Sequence, residues 1–404
     1  MSLTVSSIPK IRGLSRAQWA RVGTSVLYLA AVVLFIQSIR QFHHRGTGFT
    51  EFIDFGDQFY GTVLPSIRNV PRYTDPRSPG YDGQFYAQLA VEPLLRDRAI
   101  DAALDNPPYR ARRILFSWTA YVFGLGRPDW ILKAYALQNI VAWLLLAMLL
   151  LRWFPPTTAR NFVPWFGCLY GIGMANSVRF ALLEGPTMVI IVLAVWTMER
   201  GRPWAAAGML GLVGLARETS ALTSAMLVER LPRTAHHWIV LASKGVIVGL
   251  PFVLWVLYVR SLYPHFNLSN PDSFTLPFSG YLERWRAIAG ELTTAGWWSF
   301  GRFNLATMIG LTTQLAFLAL RRDWDDAWWR TGATYCVLMP LLSYLVWEGT
   351  PGAAPRVLLP AAFAFNVLVT RLPNRWFWPL VILGNLSVWH GLPTVGVAWI
   401  QKIS

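Results

Sequence analysis

Residues 21–39 read RVGTSVLYLAAVVLFIQSI, and the run from Val22 to Ile39 decides the class of fold. It holds no charged residue across eighteen positions. As a helix it would reach about 27 Å, close to the ~30 Å of hydrocarbon in a bilayer. Lys10, Arg12, Arg16 and Arg21 precede it, and no small-residue cleavage site follows. The pattern predicts an uncleaved signal anchor with residues 1–21 in the cytoplasm.

Ten further apolar stretches lie near 131–151, 162–180, 185–198, 204–216, 219–229, 238–259, 303–320, 331–347, 356–370 and 376–391. Several are shorter than the ~20 residues of a perpendicular span, so broken, tilted or bundle-buried helices are expected. Composition agrees. The chain of 404 residues is 54% hydrophobic and only 14% charged, whereas soluble domains carry about 25% charged residues. Trp 21, Phe 23 and Tyr 14 supply the aromatics of two interfacial belts. The reading is an all-α polytopic membrane protein of about eleven spans (ten to thirteen), one integral membrane domain over 1–404.

The net charge of +15 would suggest nucleic acid in a soluble protein. Here the arginines fall in short loops, which is the positive-inside pattern. No basic stripe interleaved with stacking aromatics is present, so no nucleic-acid partner is expected. Cys168 and Cys336 lie in apolar runs and read as packed thiols.

The segment 114–126 is short for a span and reads as an in-plane or re-entrant piece. Leaving it out places Arg152 and Arg160, Arg200 and Arg202, Arg230 and Arg233, Arg321 and Arg322, and Arg371 and Arg375 on the cytoplasmic side. Two long loops, 41–112 and 260–302, then lie outside. The first holds nine of the chain's 21 acids: Glu51, Asp54, Asp57, Asp75, Asp82, Glu92, Asp97, Asp101 and Asp105. A comparable number of arginines leaves it near neutral, a composition suited to specific pairing. It is expected to bear short interfacial helices.

Four groups of residues carry candidate chemistry. In Gly80-Tyr81-Asp82-Gly83-Gln84-Phe85-Tyr86-Ala87-Gln88-Leu89-Ala90, Pro79 and Gly80 form a turn and Asp82 suits an N-cap. Phe85 and Leu89 share a helical face. The spacing predicts a short amphipathic helix on the membrane surface with Asp82 at its mouth, acting either as cap or as chemistry. Asp54-Phe55-Gly56-Asp57 pairs two acids three apart, an interfacial turn or a weak divalent-ion pair. A local echo, Asp57-Gln58-Phe59-Tyr60, repeats the later motif. Arg110, Arg112 and Arg113 stand where the loop re-enters the membrane, able to grip a lipid phosphate or anchor to head groups. Glu184, Arg217, Glu218, Glu348 and Arg356 end separate spans on the predicted outer face. Ionisable groups at that depth are costly and mark function or a structural ion pair. No HExxH, GxSxG or P-loop pattern is present, and Asn267-Leu268-Ser269 fits a glycosylation acceptor.

Together these residues resemble the GT-C superfamily of membrane glycosyltransferases, nearest to mannosyltransferase-related proteins akin to GPI mannosyltransferases. Five pieces carry the resemblance in order. They are Tyr81-Asp82-Gly83-Gln84-Phe85-Tyr86 in the acidic loop, Leu183-Glu184-Gly185-Pro186, Arg200-Gly201-Arg202, Leu215-Ala216-Arg217-Glu218-Thr219, and Pro355-Arg356-Val357-Leu358-Leu359-Pro360. The family motif more often has Trp where this chain has Tyr81. The resemblance implies an inverting transferase that moves a sugar from a polyprenyl-phosphate donor to a glycan, lipid or protein hydroxyl. It also implies a bacterial inner membrane setting with the site facing outside. Its base would be Asp82 or Asp57. Its substrate-binding residues would be Tyr81, Gln84, Asp54, Arg110, Arg112, Arg113, Glu184, Arg217, Glu218, Glu348 and Arg356. No cofactor or metal is implied, although the Asp54 and Asp57 pair leaves a divalent ion open.

The chemistry is self-consistent. A polyprenyl phosphate is a good leaving group, so one carboxylate suffices to take the acceptor proton. Glycoside hydrolysis, with a poor leaving group, needs two. Arginines are needed to hold the phosphate as charge develops. Two rivals are a transporter or lipid flippase, which would carry mid-membrane charges and related halves, and a non-catalytic subunit of an envelope polysaccharide system.

Overall fold

The computed structural model describes residues 15–58, 62–229, 233–265, 271–349 and 352–397. Lys10 and Arg12, Phe59 and Tyr60 of the echo, Arg230, and Asn267-Leu268-Ser269 lie outside the described residues.

The first apolar run folds as the helix Arg16–Ile39, opened by a capping box in which the Ser15 side chain and Gln18 satisfy each other's backbone amides. Four helical stretches are long and apolar enough to cross a membrane: Gln18–Phe42, Pro128–Arg152, Ala235–Leu262 and Gly301–Leu320. The helix Ala235–Leu262 leaves Val246, Ile247, Leu250, Val253, Leu254 and Leu257 exposed. Water would not tolerate so continuous a stripe, and lipid does. The protein is an integral membrane protein.

Several of the other apolar runs are broken. Residues 162–180 divide at Gly171 into Ala159–Tyr170 and Ile172–Arg179. Residues 219–229 form a 3-10 segment, Glu218–Leu227. Residues 331–347 pass from the helix Ala327–Leu338 through a 3-10 turn to Tyr344–Trp347. Pro203–Ala216, with 14 residues, reaches about 21 Å, short of the hydrocarbon thickness. Two buried indoles of this interior find backbone partners: Trp143 Nε1 donates to Leu169 O at 2.9 Å, and Trp165 Nε1 to Ala147 O at 3.0 Å.

The charged loops gather at two ends of the bundle. At one end Arg371 meets Asp326 at 2.6 Å, Arg160 donates to Thr370 O at 2.8 Å, and Trp153 donates to Glu199 at 2.8 Å. At the other end lie Asp82, Arg110, Arg113, Glu184, Arg217 and Arg356. The helix Glu184–Glu199 joins the two, separating them by roughly 22 Å. Segment 114–126 becomes the nine-residue helix Leu115–Phe123, too short to cross, and it turns back into Pro128–Leu149. Residues 260–302 hold the helix Ser279–Ala295, with Leu282 exposed and Arg284 and Ile288 buried.

The acidic loop is packed rather than draped. Among the described residues its one pair of short strands sets Phe55–Gly56 parallel to Thr74–Asp75. Two differences from the sequence reading concern the helix Asp82–Val91. Its N-cap is Tyr81, and Asp82 is the first helical residue with no side-chain capping bond. Nor is the helix amphipathic on a surface, because Gly83 to Ala90 are all buried. Its glutamines are consumed by the loop. Gln84 Nε2 donates to Pro79 O at 2.9 Å. Gln88 Nε2 donates to Ala103 O and its Oε1 accepts from Leu64 N, each at 3.0 Å.

Candidate functional site

The backbone delivers Asp82 through two glycines. Gly80 has φ +75, a conformation that L side chains resist, and turns the chain into the helix. A Cβ on Gly83 would lie 2.5 Å from Phe180 O and 2.7 Å from Ile53 O, so only glycine lets this first turn press against both. Asp54, left-handed at φ 59, accepts from Tyr81 N at 3.0 Å and anchors the turn from the other side.

Arg110 reaches the carboxylate from the short helix Pro107–Ala111. That helix starts with Pro107 and Pro108, and the Asn106 side chain accepts from Tyr109 N. Arg110 Nη2 donates to Asp82 Oδ1 at 2.8 Å. The same guanidinium grips Asp105 with both oxygens, at 2.8 and 2.6 Å, and lies over the Phe85 ring. Arg113 pairs in bidentate fashion with Glu218, at 2.8 and 2.6 Å, and donates to the hydroxyls of Tyr86 and Tyr109. Arg112 reaches Glu218 at 3.4 Å. Glu184, at the first turn of its helix, pairs with Arg217 and, at 3.4 Å, with Arg356. Arg356 also lies 3.9 Å from Asp82 Oδ2 and donates to the Tyr81 hydroxyl at 3.1 Å.

These side chains line a polar cavity of about 340 Å³, within the range of small-ligand sites. Five guanidiniums, from Arg110, Arg112, Arg113, Arg217 and Arg356, face the four carboxylates of Asp82, Asp105, Glu184 and Glu218. One positive charge is in excess. Among the described residues the buried Nε of Arg356 and Oε2 of Glu184 meet no hydrogen-bond partner, as expected at a site shaped for a further polar group. A second cavity of about 650 Å³ shares Asp82, Asp105 and Arg110 with the first and extends past Tyr81, Gln84 and Asp101. Asp82 therefore stands between two spaces. Burial works to raise its pKa, but Arg110, Arg356 and Arg113 together outweigh burial and hold the carboxyl below its ordinary range.

Of the residues expected at the site, Asp82, Tyr81, Gln84, Arg110, Arg113, Glu184, Arg217 and Arg356 line one or both cavities, with Arg112 and Glu218 bound to the same network. Three stand apart. Asp57 is exposed, and its Oδ1 accepts from Ser78 N at 3.2 Å. Asp54 is buried away from both cavities, where burial raises its pKa against the opposing charge of Arg179. Glu348 is exposed and lines neither. The Asp54 and Asp57 carboxylates thus serve separate environments. Among the described residues no group of three or more His, Cys, Asp or Glu side chains could hold a metal ion.

Sequence reasoning passed over Asp105, Asn106, Tyr86 and Tyr109, which also line the first cavity. Tyr86 ends the quoted motif and Tyr109 begins the arginine cluster, so adjacency was the available signal. Asp105 was one acid among nine, with nothing local to mark it.

No family model matches the chain, and no curated protein matches it. Among solved structures it is similar to the crystal structure of ArnT from Cupriavidus metallidurans in the apo state, at 16% identity and a TM-score of 0.45. The likeness covers 90% of this chain and 63% of that one, so the chain spans less than two thirds of its length. At that score it carries no argument about activity.

Proposed function

We propose that the protein is an inverting glycosyltransferase that moves a sugar from a polyprenyl-phosphate donor to a hydroxyl acceptor, with the site on the extracytoplasmic face. The observation that carries this reading is Asp82, held between Arg110 and Arg356 at the boundary of two cavities. The arginine-rich cavity takes the donor phosphate. The other, rimmed by Tyr81, Gln84, Asp101 and Asp105, takes the acceptor.

Charge supports the assignment. A polyprenyl-phosphate sugar is a phosphodiester with one negative charge, which offsets the one excess positive charge of the cluster. In the reaction the acceptor oxygen attacks the anomeric carbon, the bond from that carbon to the phosphate oxygen breaks, and Asp82 takes the hydroxyl proton. The departing phosphate gains the charge that Asp82 loses, so the net charge of the site is unchanged. Arg110 and Arg356, which held the carboxylate, are then free to bind the phosphate more tightly, a gain made as the transition state develops.

A carboxylate held this strongly is a weak base in the empty site. Bound phosphate draws on the same guanidiniums and restores its basicity. The bilayer holds the polyprenyl chain, and the apolar bundle places its phosphate at the interface. The test is transfer from a panel of polyprenyl-phosphate sugars by the purified protein, compared with Asp82→Asn. Turnover of one donor by the wild type, lost in the variant, supports the reading. No turnover of any donor, with no donor binding, would overturn it.

A further inference from the structure

A third cavity, of about 830 Å³, lies at the opposite end of the bundle, beside Trp324 and Asp325. One wall is the helix Ala235–Leu262, where His237, Val240, Leu241 and Lys244 recur at three- and four-residue intervals and share a face. The rest of the lining includes Leu227, Glu229, Arg233 and Asp325. Lys244 is 8% exposed, inside a lipid-facing helix. Among the described residues its ammonium has no hydrogen-bond acceptor, and its contact is the Trp204 ring at 5.7 Å. The side chain lines the cavity with only an aromatic face beside its ammonium, which leaves room for an anion there.

We infer that this cavity binds the headgroup of an aminophospholipid. The phosphodiester would meet Lys244 and His237, and the ammonium would meet Glu229 and Asp325. The acyl chains would pass Val240 and Leu241 toward the exposed apolar face of the same helix. Charge complementarity selects this occupant, because the cavity carries both signs. With Arg233 and Lys244 set against Glu229 and Asp325 the lining is balanced, which suits a zwitterionic headgroup better than one of net negative charge. The location selects a lipid over a soluble phosphate. The cavity opens beside an exposed hydrophobic stripe that includes Trp238, Ile239, Val246 and Ile247, at the end of the bundle where the arginine loops collect. The site is independent of the transferase chemistry some 20 Å away, by the rise of the intervening helix.

The experiment uses the full chain in bilayer discs of phosphatidylcholine, alone or mixed with phosphatidylethanolamine or phosphatidylglycerol. Retained lipid is read by native mass spectrometry. The wild type should retain phosphatidylethanolamine in preference to both others. Lys244→Met should weaken that retention roughly tenfold or more, the worth of a charge-assisted hydrogen bond. Glu229→Gln with Asp325→Asn should still retain phospholipid but lose the preference over phosphatidylglycerol, a change of selectivity that misfolding does not produce. Equal or better retention of phosphatidylglycerol by the wild type would overturn the proposal, as would unchanged retention by Lys244→Met. So would stabilisation in detergent by soluble phosphoethanolamine equal to that by the lipid, since the source would then not be the membrane.

Discussion

Arg110 Nη2 lies 2.8 Å from Asp82 Oδ1 while the rest of the same guanidinium clasps Asp105. One arginine thus ties the start of the Asp82–Val91 helix to the far end of the acidic loop, 28 residues later. The carboxylate is fixed in direction before any substrate arrives, as the proposed role of base requires.

Asp82→Asn should bind donor and lose turnover by about 10²–10⁴-fold, the usual cost of removing a general base. The amide keeps the size of the carboxyl but cannot take the proton. Asp57→Asn should stay near wild type, because Asp57 is exposed and spends its Oδ1 on Ser78 N. Steady-state transfer and donor-binding measurements on both variants decide the matter. An inactive Asp57→Asn beside an active Asp82→Asn would reverse the roles.

Glu184 is 4% exposed and holds both Arg217 and Arg356. Removing one partner of a buried pair leaves an uncompensated charge and costs about 3–5 kcal/mol. Glu184→Gln should therefore destabilise the fold. Arg217→Ala should do so too and should raise the KM for donor. Combining the two should recover part of the stability, since Glu184 and Arg217 no longer orphan each other and Arg356 keeps Asp82 at 3.9 Å, but should not recover the KM. If the double variant regains donor affinity, Arg217 is a structural partner of Glu184 and does not bind phosphate.

The site was legible in sequence to the extent that its chemistry was local. Tyr81 to Tyr86 and Arg110 to Arg113 are contiguous motifs, and Glu184, Arg217 and Arg356 betrayed themselves as charges at the ends of apolar runs. What joins them is not local. The Asp82–Arg110 contact crosses 28 residues and Arg356–Tyr81 crosses 275, distances over which no periodicity speaks. The Asp82–Val91 helix misled for a related reason. Gln84 and Gln88 look like a wet face until their amides are seen closing the loop on Pro79, Leu64 and Ala103. Apolar runs were legible, but their breaks at Gly171 and Leu338 follow from packing inside the bundle. Asp57 was drawn in as one of a pair of acids three apart, and it lines neither cavity.

Topology gives a separate test. The short-loop arginines converge at the Asp326 end, and the Asp82 end carries the long acidic loop. The positive-inside rule then places Asp325 in the cytoplasm and Ser78 outside. In a background lacking Cys168 and Cys336, a membrane-impermeant thiol reagent applied to intact cells should modify Ser78→Cys and spare Asp325→Cys. The reverse pattern would put the site on the cytoplasmic face and remove the extracytoplasmic acceptor from consideration.

The pH dependence follows from Asp82. Burial alone would push its carboxyl up, yet Arg110, Arg356 and Arg113 bring the folded-state pKa below the ordinary 3.8. A depressed folded value means the unfolded chain binds the proton more readily. The group therefore contributes stability above pH 3.8, and the contribution is lost as pH falls through the lower folded value. Thermal unfolding of wild type and Asp82→Asn should differ most near neutrality and converge as pH falls through the lowered folded value. Kinetics should carry the complementary sign. In free protein the base is already ionised, so kcat/KM should show no acid limb from this group near its ordinary value. In the donor complex the phosphate shares Arg110 and Arg356, which raises the carboxyl toward or above that value and moves the acid limb of kcat to higher pH. An acid limb at the same pH in kcat and kcat/KM would mean that the phosphate does not compete for these two arginines, and the two-guanidinium account of Asp82 would fail.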